Sequence, residues 1–168
     1  MSAHAAGDQA AVGRGTQQLM FGLLAAVVLP SAALWAGREP LIRIWLQNPA
    51  LAHQVADLAA WLLPAAATGA VGNVPLILLN AQGDFAFQAR TAALLSVLTL
   101  TAVAGAAAHG QLVTVCSVYL AYYVLLTSSL WWRAWRQSAV AEPARRSAVL
   151  ALLGGLLAIT ALALLKLK

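Results

Sequence analysis

The chain has 168 residues, of which 62% are hydrophobic and only 9% are charged, with ten Lys and Arg against five Asp and Glu. A soluble domain carries about 25% charged residues to cover its surface, so this composition excludes a soluble globular domain and indicates a polytopic membrane protein. The basic residues lie between apolar blocks, where positive charge sets membrane topology. Nucleic-acid binding is therefore not expected.

The apolar residues form five uncharged stretches, each long enough to cross a bilayer as a helix. In chain order, the predicted spans are residues 19–35, 58–79, 91–108, 112–132 and 149–165. Because the apolar runs are continuous rather than alternating, strands are not expected. The predicted fold class is all-α, a polytopic membrane helix bundle of about five transmembrane helices.

The connecting segments complete the predicted organisation. Residues 38–57 are too polar to span the membrane and too apolar to be fully solvated, which favours a segment lying at the outer membrane interface. Residues 80–90 and 107–111 are predicted turns, and residues 133–148 are rich in arginine. The predicted parts are a cytoplasmic N-terminal segment (1–18), a four-helix membrane bundle containing the interfacial segment (19–135), a basic cytoplasmic linker (136–148) and a fifth transmembrane helix (149–168).

Basic residues at the two membrane faces predict the orientation. Six arginines fall on the N-terminal side and four Lys or Arg on the opposite side, which predicts a cytoplasmic N-terminus. The six tryptophans fall near the ends of the predicted spans and are interpreted as interfacial anchors. Those at the outer boundary are Trp35, Trp45 and Trp61, and those at the inner boundary are Trp131, Trp132 and Trp135.

The second predicted span is the least regular. Pro64 and Pro75 each remove one helical hydrogen bond, to the carbonyls four residues earlier, and Gly72 lies between them. Transporters often place such broken helices along the substrate path, while the alternative is a kink that improves packing. Asn73 and Asn80 are seven residues apart and fall on nearly the same helix face. Their amides suit sugar hydroxyls, or they hydrogen-bond helix to helix.

Three further groups are candidate or excluded sites. Arg90 could attract a pyrophosphate, and Tyr119 and Tyr122 could stack on sugar rings, although an inner anchor and ordinary helix packing are the alternatives. His53 and Asp57 are four residues apart and are interpreted as a solvated pair at a helix start. The single Cys and three scattered His residues have no ligand-spaced partner, so neither a metal site, a cofactor nor an enzyme activity is expected.

Three stretches occur in a characteristic order: HAAGDQAAVGRGTQQL (4–19), REPLIRIWLQN (38–48) and GNVPLILLNAQGDFAFQAR (72–90). Together they resemble the C-terminal half of bacterial polysaccharide and lipid-linked oligosaccharide flippases, members of the multidrug/oligosaccharidyl-lipid/polysaccharide exporter superfamily. The family's Pro-Leu-x-Arg-x-Trp-Leu stretch is matched by residues 40–46, and its x-Ala-x-Gly turn by residues 80–83. The resemblance covers roughly residues 3–135. The chain departs from the family in offering five spans instead of twelve to fourteen in two lobes, and in having Gln47-Asn48 where a glycine is usual.

This resemblance implies a partial lobe of a two-lobe transporter that moves a lipid-linked saccharide across the bacterial inner membrane without making or breaking a bond. In such a transporter, the side chains considered above predict a substrate path through Asn73, Asn80, Arg90, Tyr119 and Tyr122. The expected partners are membrane lipid, the lipid-linked saccharide and a second lobe, supplied by another chain or a copy of this one. The alternative is a small polytopic scaffold that binds membrane proteins and transports nothing.

Overall fold

The computed structural model describes residues 9–137, and every regular element in this range is helical. In chain order the elements are α1 (Gln9–Leu23), a π-helical turn (Leu24–Val28), α2 (Leu29–Leu46), α3 (Pro49–Ala81), α4 (Phe85–Ala108) and α5 (Leu112–Arg136).

Within the described residues, four helical stretches are long and apolar enough to cross a membrane. They are Gln17–Leu46, Pro49–Ala81, Phe85–Ala108 and Leu112–Arg136. The described residues thus confirm the predicted all-helical fold and give it four helices that could span a membrane. The predicted fifth span at 149–165 and most of the basic linker lie outside the described residues.

The segment predicted to lie at the outer interface has a different form in the structure. The first helix does not stop near residue 35 but continues to Leu46, and α3 begins three residues later at Pro49. Gln47 ends α2 in a left-handed conformation with φ 51°, and the Asn48 side chain accepts a hydrogen bond from the Leu51 amide at 3.2 Å. Residues 38–57 are thus divided between the ends of two long helices joined by a two-residue turn.

Helix α3 is the centre of the described bundle and packs mainly against α5 and α2. The positions of Gly69 and Gly72 bring α3 close to α5, because a Cβ on either glycine would lie under 3 Å from a side chain of α5. Gly69 meets Tyr123 and Gly72 meets Thr127. Since the contacts advance in the same direction along both helices, α3 and α5 run parallel. Small residues at such crossings allow the close packing that drives helix association in membranes.

One end of this crossing carries the apolar core. Its buried members come from α1, α3 and α5: Met20, Val74, Leu79, Leu130, Trp131 and Ala134. Trp131 is only 1% exposed, so its interpretation as an interfacial anchor is wrong, because the indole faces the neighbouring helices instead of the membrane boundary. Trp45, by contrast, is 78% exposed, as an anchor would be.

The other helices are far less covered than α3. About a third of the apolar stretch of α3 is buried, compared with 6% of the corresponding stretch in both the first span and α4. Large apolar side chains of α4 are exposed, among them Leu94, Val97, Leu98 and Leu100. This surface suits lipid or a partner helix.

Candidate functional site

The first proline in the interior of α3, Pro64, is compensated by a side chain of α2. Pro64 has no N–H to bond the Ala60 carbonyl, and the indole Nε1 of Trp35 donates to that same carbonyl oxygen at 2.9 Å. Burial of an unpaired carbonyl in a membrane helix would cost free energy. The irregularity at Pro64 is therefore resolved by packing between α2 and α3.

Beside this contact lies an arginine that is almost completely buried. Arg38 is 6% exposed; its Nε donates to the Ala56 carbonyl at 3.1 Å and its Nη1 to the Trp35 carbonyl at 2.6 Å. The guanidinium also lies 4.6 Å from the Trp35 ring centroid, a cation–π distance. Neighbouring Glu39 pairs instead with Arg43, at 2.7 Å. Arg38 thus joins α2 to α3 and is not a free surface anchor.

The remaining predicted kink residues also belong to the packed side of α3. The Thr127 hydroxyl donates to the Thr68 carbonyl at 3.1 Å, and a Cβ on Gly72 would lie 2.6 Å from that hydroxyl oxygen. Pro64, Gly72 and Pro75 are all buried. Their placement supports the packing interpretation, since none of the three lines an open surface.

The two predicted amides lie on an exposed part of the α3 surface that adjoins its contact with α5. Asn73, Ile77 and Asn80 are exposed and are separated by four and three residues, so they form one stripe along the helix. We call these three residues the Asn stripe. Within residues 9–137 the structure gives neither amide a hydrogen-bond partner. The helix-to-helix hydrogen bonds that were the alternative role for these amides are not made inside the described bundle.

The tyrosines of α5 border this stripe. The Tyr123 ring lies against Gly69, one helical turn before Asn73 on α3. Tyr122 and Tyr123 meet edge to face with ring centroids 5.2 Å apart, and Tyr119 lies 6.0 Å from Tyr123. Tyr119 is 45% exposed. The structure therefore places the Tyr123 ring one helical turn before the N-terminal end of the Asn stripe.

The predicted inner end of the path is less tightly assembled. Arg90 is exposed in the second turn of α4, and the structure gives it no hydrogen bond to another described residue. Its neighbour Gln88 does reach α3, donating from Nε2 to the Leu76 carbonyl at 3.5 Å. The predicted path residues thus fall into two groups, the amides and tyrosines near α3 and Arg90 at the start of α4.

A polar cluster that the sequence analysis missed joins the α3–α4 turn to the end of α5. Asp84 Oδ2 accepts hydrogen bonds from Arg133 Nε and from Gln137 Nε2, both at 2.7 Å. The Arg133 guanidinium lies 5.1 Å from the centroid of the Phe87 ring. The hydrogen bond from Arg133 is the largest influence on the Asp84 carboxyl and holds its pKa below the ordinary aspartate value, against a smaller opposing effect of burial. Nothing in the local pattern pairs residues 84 and 133. The available signal is a single acid in the turn between α3 and α4.

His, Cys, Asp and Glu side chains are few in the described part of the chain. Residues 9–137 contain no group of three or more His, Cys, Asp or Glu side chains that could hold a metal ion. His53 Nδ1 lies 3.2 Å from Asp57 Oδ2, and both side chains are more than half exposed. They form a solvated pair in the first turns of α3.

Comparison with family profiles, curated proteins and solved structures finds no match to this chain.

Proposed function

We propose that the chain is a partial lobe of a flippase-like transporter that moves a lipid-linked saccharide across the bacterial inner membrane, and that a second lobe completes it. The observation that carries this proposal is the Asn stripe, in which two amides are exposed in the apolar helix α3 without hydrogen-bond partners among residues 9–137. Residues 149–165 add a fifth span, and the N-terminus is cytoplasmic.

The physical reason lies in the cost of an unpaired amide in lipid. Moving an amide into an apolar medium without a hydrogen bond costs about 2–7 kcal/mol. Two such groups on one face of a spanning helix are tolerated when a hydrated path or a polar partner covers them. Uncharged amides with neighbouring tyrosine rings suit the hydroxyls and apolar faces of a sugar.

The packing of α3 supports a path between two lobes. One side of α3 is taken up by α2 and α5, with Gly69 and Gly72 in close contact with α5. The adjoining surface that carries the Asn stripe is exposed. A second lobe facing this exposed surface would enclose the amides and the exposed Tyr119 in one passage, with Arg90 near its inner end.

The test compares Asn73→Leu with Thr101→Val. Thr101 is also an exposed polar residue in a span, but its hydroxyl is bonded to the Val97 and Leu98 carbonyls of its own helix. Each variant is expressed with a partner lobe in cells lacking their own flippase, and surface polysaccharide and thermal stability are measured together. We expect Asn73→Leu to abolish transport at unchanged stability and Thr101→Val to leave both unchanged. Retained transport with lowered stability would make Asn73 a structural contact.

A scaffold that binds membrane proteins is the second candidate function. It is favoured by the burial of Pro64, Gly72 and Pro75, because these irregular residues serve packing and not an open path. In a scaffold, the Asn stripe would bond a partner helix directly. Normal surface polysaccharide in the Asn73→Leu cells, together with loss of a co-purifying membrane partner, would select this function over transport.

A further inference from the structure

We propose that Arg133 forms a phosphate-binding site at the end of α5, oriented by Asp84 and Phe87, whose ligand is a phosphate ester at the membrane boundary. The site does not use the Asn stripe, and its occupation does not require transport.

The proposal starts from the way the guanidinium is held. Arg133 bonds Asp84 through Nε alone, at 2.7 Å. Its two terminal nitrogens carry four further N–H groups, for which the structure gives no hydrogen-bond acceptor in residues 9–137. The side chain is 36% exposed, so solvent and lipid headgroups have access to it.

Two contacts fix the orientation of this group. The carboxylate of Asp84, itself held by Gln137 at 2.7 Å, fixes the Nε edge of Arg133, and the Phe87 ring lies 5.1 Å from the guanidinium. A planar fork held in this way loses little side-chain entropy when its two outer nitrogens bind a second oxyanion. The lowered pKa of Asp84 means that its carboxylate stays charged at neutral pH.

The position in the span indicates the ligand. Arg133 lies in the last turn of a helix apolar enough to cross a membrane, where the phosphates of lipids are found. Guanidinium matches phosphate oxygens through two parallel hydrogen bonds. The same chemistry is offered by a phospholipid headgroup and by the phosphate of a lipid-linked saccharide.

The closing experiment uses the full chain in a phosphate-free maltoside detergent. Soluble dihexanoyl phosphatidylglycerol and inorganic pyrophosphate are titrated separately by isothermal calorimetry. We expect at least one probe to bind saturably. Arg133→Lys, which keeps the charge but removes the fork, should weaken binding about tenfold through loss of one charge-assisted hydrogen bond.

The matched control is Arg136→Lys. Arg136 is one helical turn away from Trp132, lies 4.4 Å from its ring centroid and has no carboxylate bonded to it in the described residues. The Arg136→Lys variant should bind both probes with an affinity within about twofold of that of the wild type. Equal losses in Arg133→Lys and Arg136→Lys, or no saturable binding of either probe, would overturn the proposal. Binding of the phosphatidylglycerol probe alone assigns a headgroup ligand, and binding of pyrophosphate assigns a diphosphate; both support the site. Since no partner lobe is present, failure here is separate from failure of transport.

Discussion

Gly69→Ala tests the close packing of α3 on α5. A Cβ at this position would lie 2.8 Å from two carbon atoms of the Tyr123 ring and 3.5 Å from a third. The Tyr123 ring has little room to move, because the ring centroids of Tyr122 and Tyr119 lie 5.2 Å and 6.0 Å from its own centroid. The same substitution at Gly105 in α4 meets no atom within 4 Å, which makes Gly105→Ala the matched control.

The two substitutions should change the free energy of unfolding in opposite directions. Overpacking a well-packed contact costs about 1–3 kcal/mol, while Gly→Ala inside a helix gains about 0.5–1 kcal/mol. Gly69→Ala should therefore destabilise the protein by roughly 1–2 kcal/mol, and Gly105→Ala should stabilise it by up to about 1 kcal/mol.

Reversible unfolding in mixed micelles, followed by tryptophan fluorescence, measures both changes. The double variant Gly69→Ala with Tyr123→Leu removes the ring that the new methyl group would strike, and its coupling energy should offset most of the overpacking cost. If Gly69→Ala is as stable as Gly105→Ala, the close α3–α5 crossing is refuted.

Three further predictions concern other parts of the bundle. Trp35→Phe leaves the Ala60 carbonyl without a donor and should lower the free energy of unfolding by about 1–2 kcal/mol. The loss should be clearly smaller in a Pro64→Ala background, because residue 64 then supplies an N–H to that carbonyl. Equal losses in both backgrounds would contradict the contact. Because the Asp84 pKa is lowered in the folded state, its ion pair stabilises the protein above the ordinary aspartate pKa and is lost as pH falls through the folded value. Melting temperature should thus be insensitive to this pair from pH 7 to 5 and should fall below about pH 4, and Asp84→Asn should remove that acid-dependent fall. Reporter fusions at the N-terminus and after Gln137 should give the same cytoplasmic signal, since four spans lie between them, and a fusion after residue 168 should give the opposite one; matching signals at Gln137 and residue 168 would remove the fifth span.

The helices themselves could be predicted from sequence because their signal is local. An uncharged run of about 20 apolar residues has no stable alternative to a helix in lipid. The first span was predicted too short for a specific reason. In the sequence, Arg38 and Glu39 indicate the polar end of a span. In the structure, Arg38 instead donates a hydrogen bond to the Ala56 carbonyl of the next helix.

The polar cluster at the α3–α4 turn could not be predicted for a related reason. Asp84 and Arg133 are 49 residues apart, and no periodicity connects a turn to the end of a later helix. The same holds for Trp131, whose burial depends on which side of α5 faces α3. The pairing of His53 with Asp57, by contrast, could be predicted, because the two residues are four apart on one helix.

The position of Asn73 indicates that the functional unit is larger than the described helices. Asn73 lies eight residues before the end of α3 at Ala81, about 12 Å along the helix axis, whereas the hydrocarbon core is about 30 Å thick. If the C-terminal end of α3 lies at a headgroup layer, Asn80 can reach the headgroups, but the short side chain of Asn73 cannot. Exposing an amide to lipid at that depth is unfavourable in free energy. The described bundle does not offset this, because it gives Asn73 no hydrogen-bond partner. We therefore expect the group that covers Asn73 to come from outside residues 9–137, as the proposed second lobe would. These four spans alone should then leave a flippase-deficient cell without surface polysaccharide.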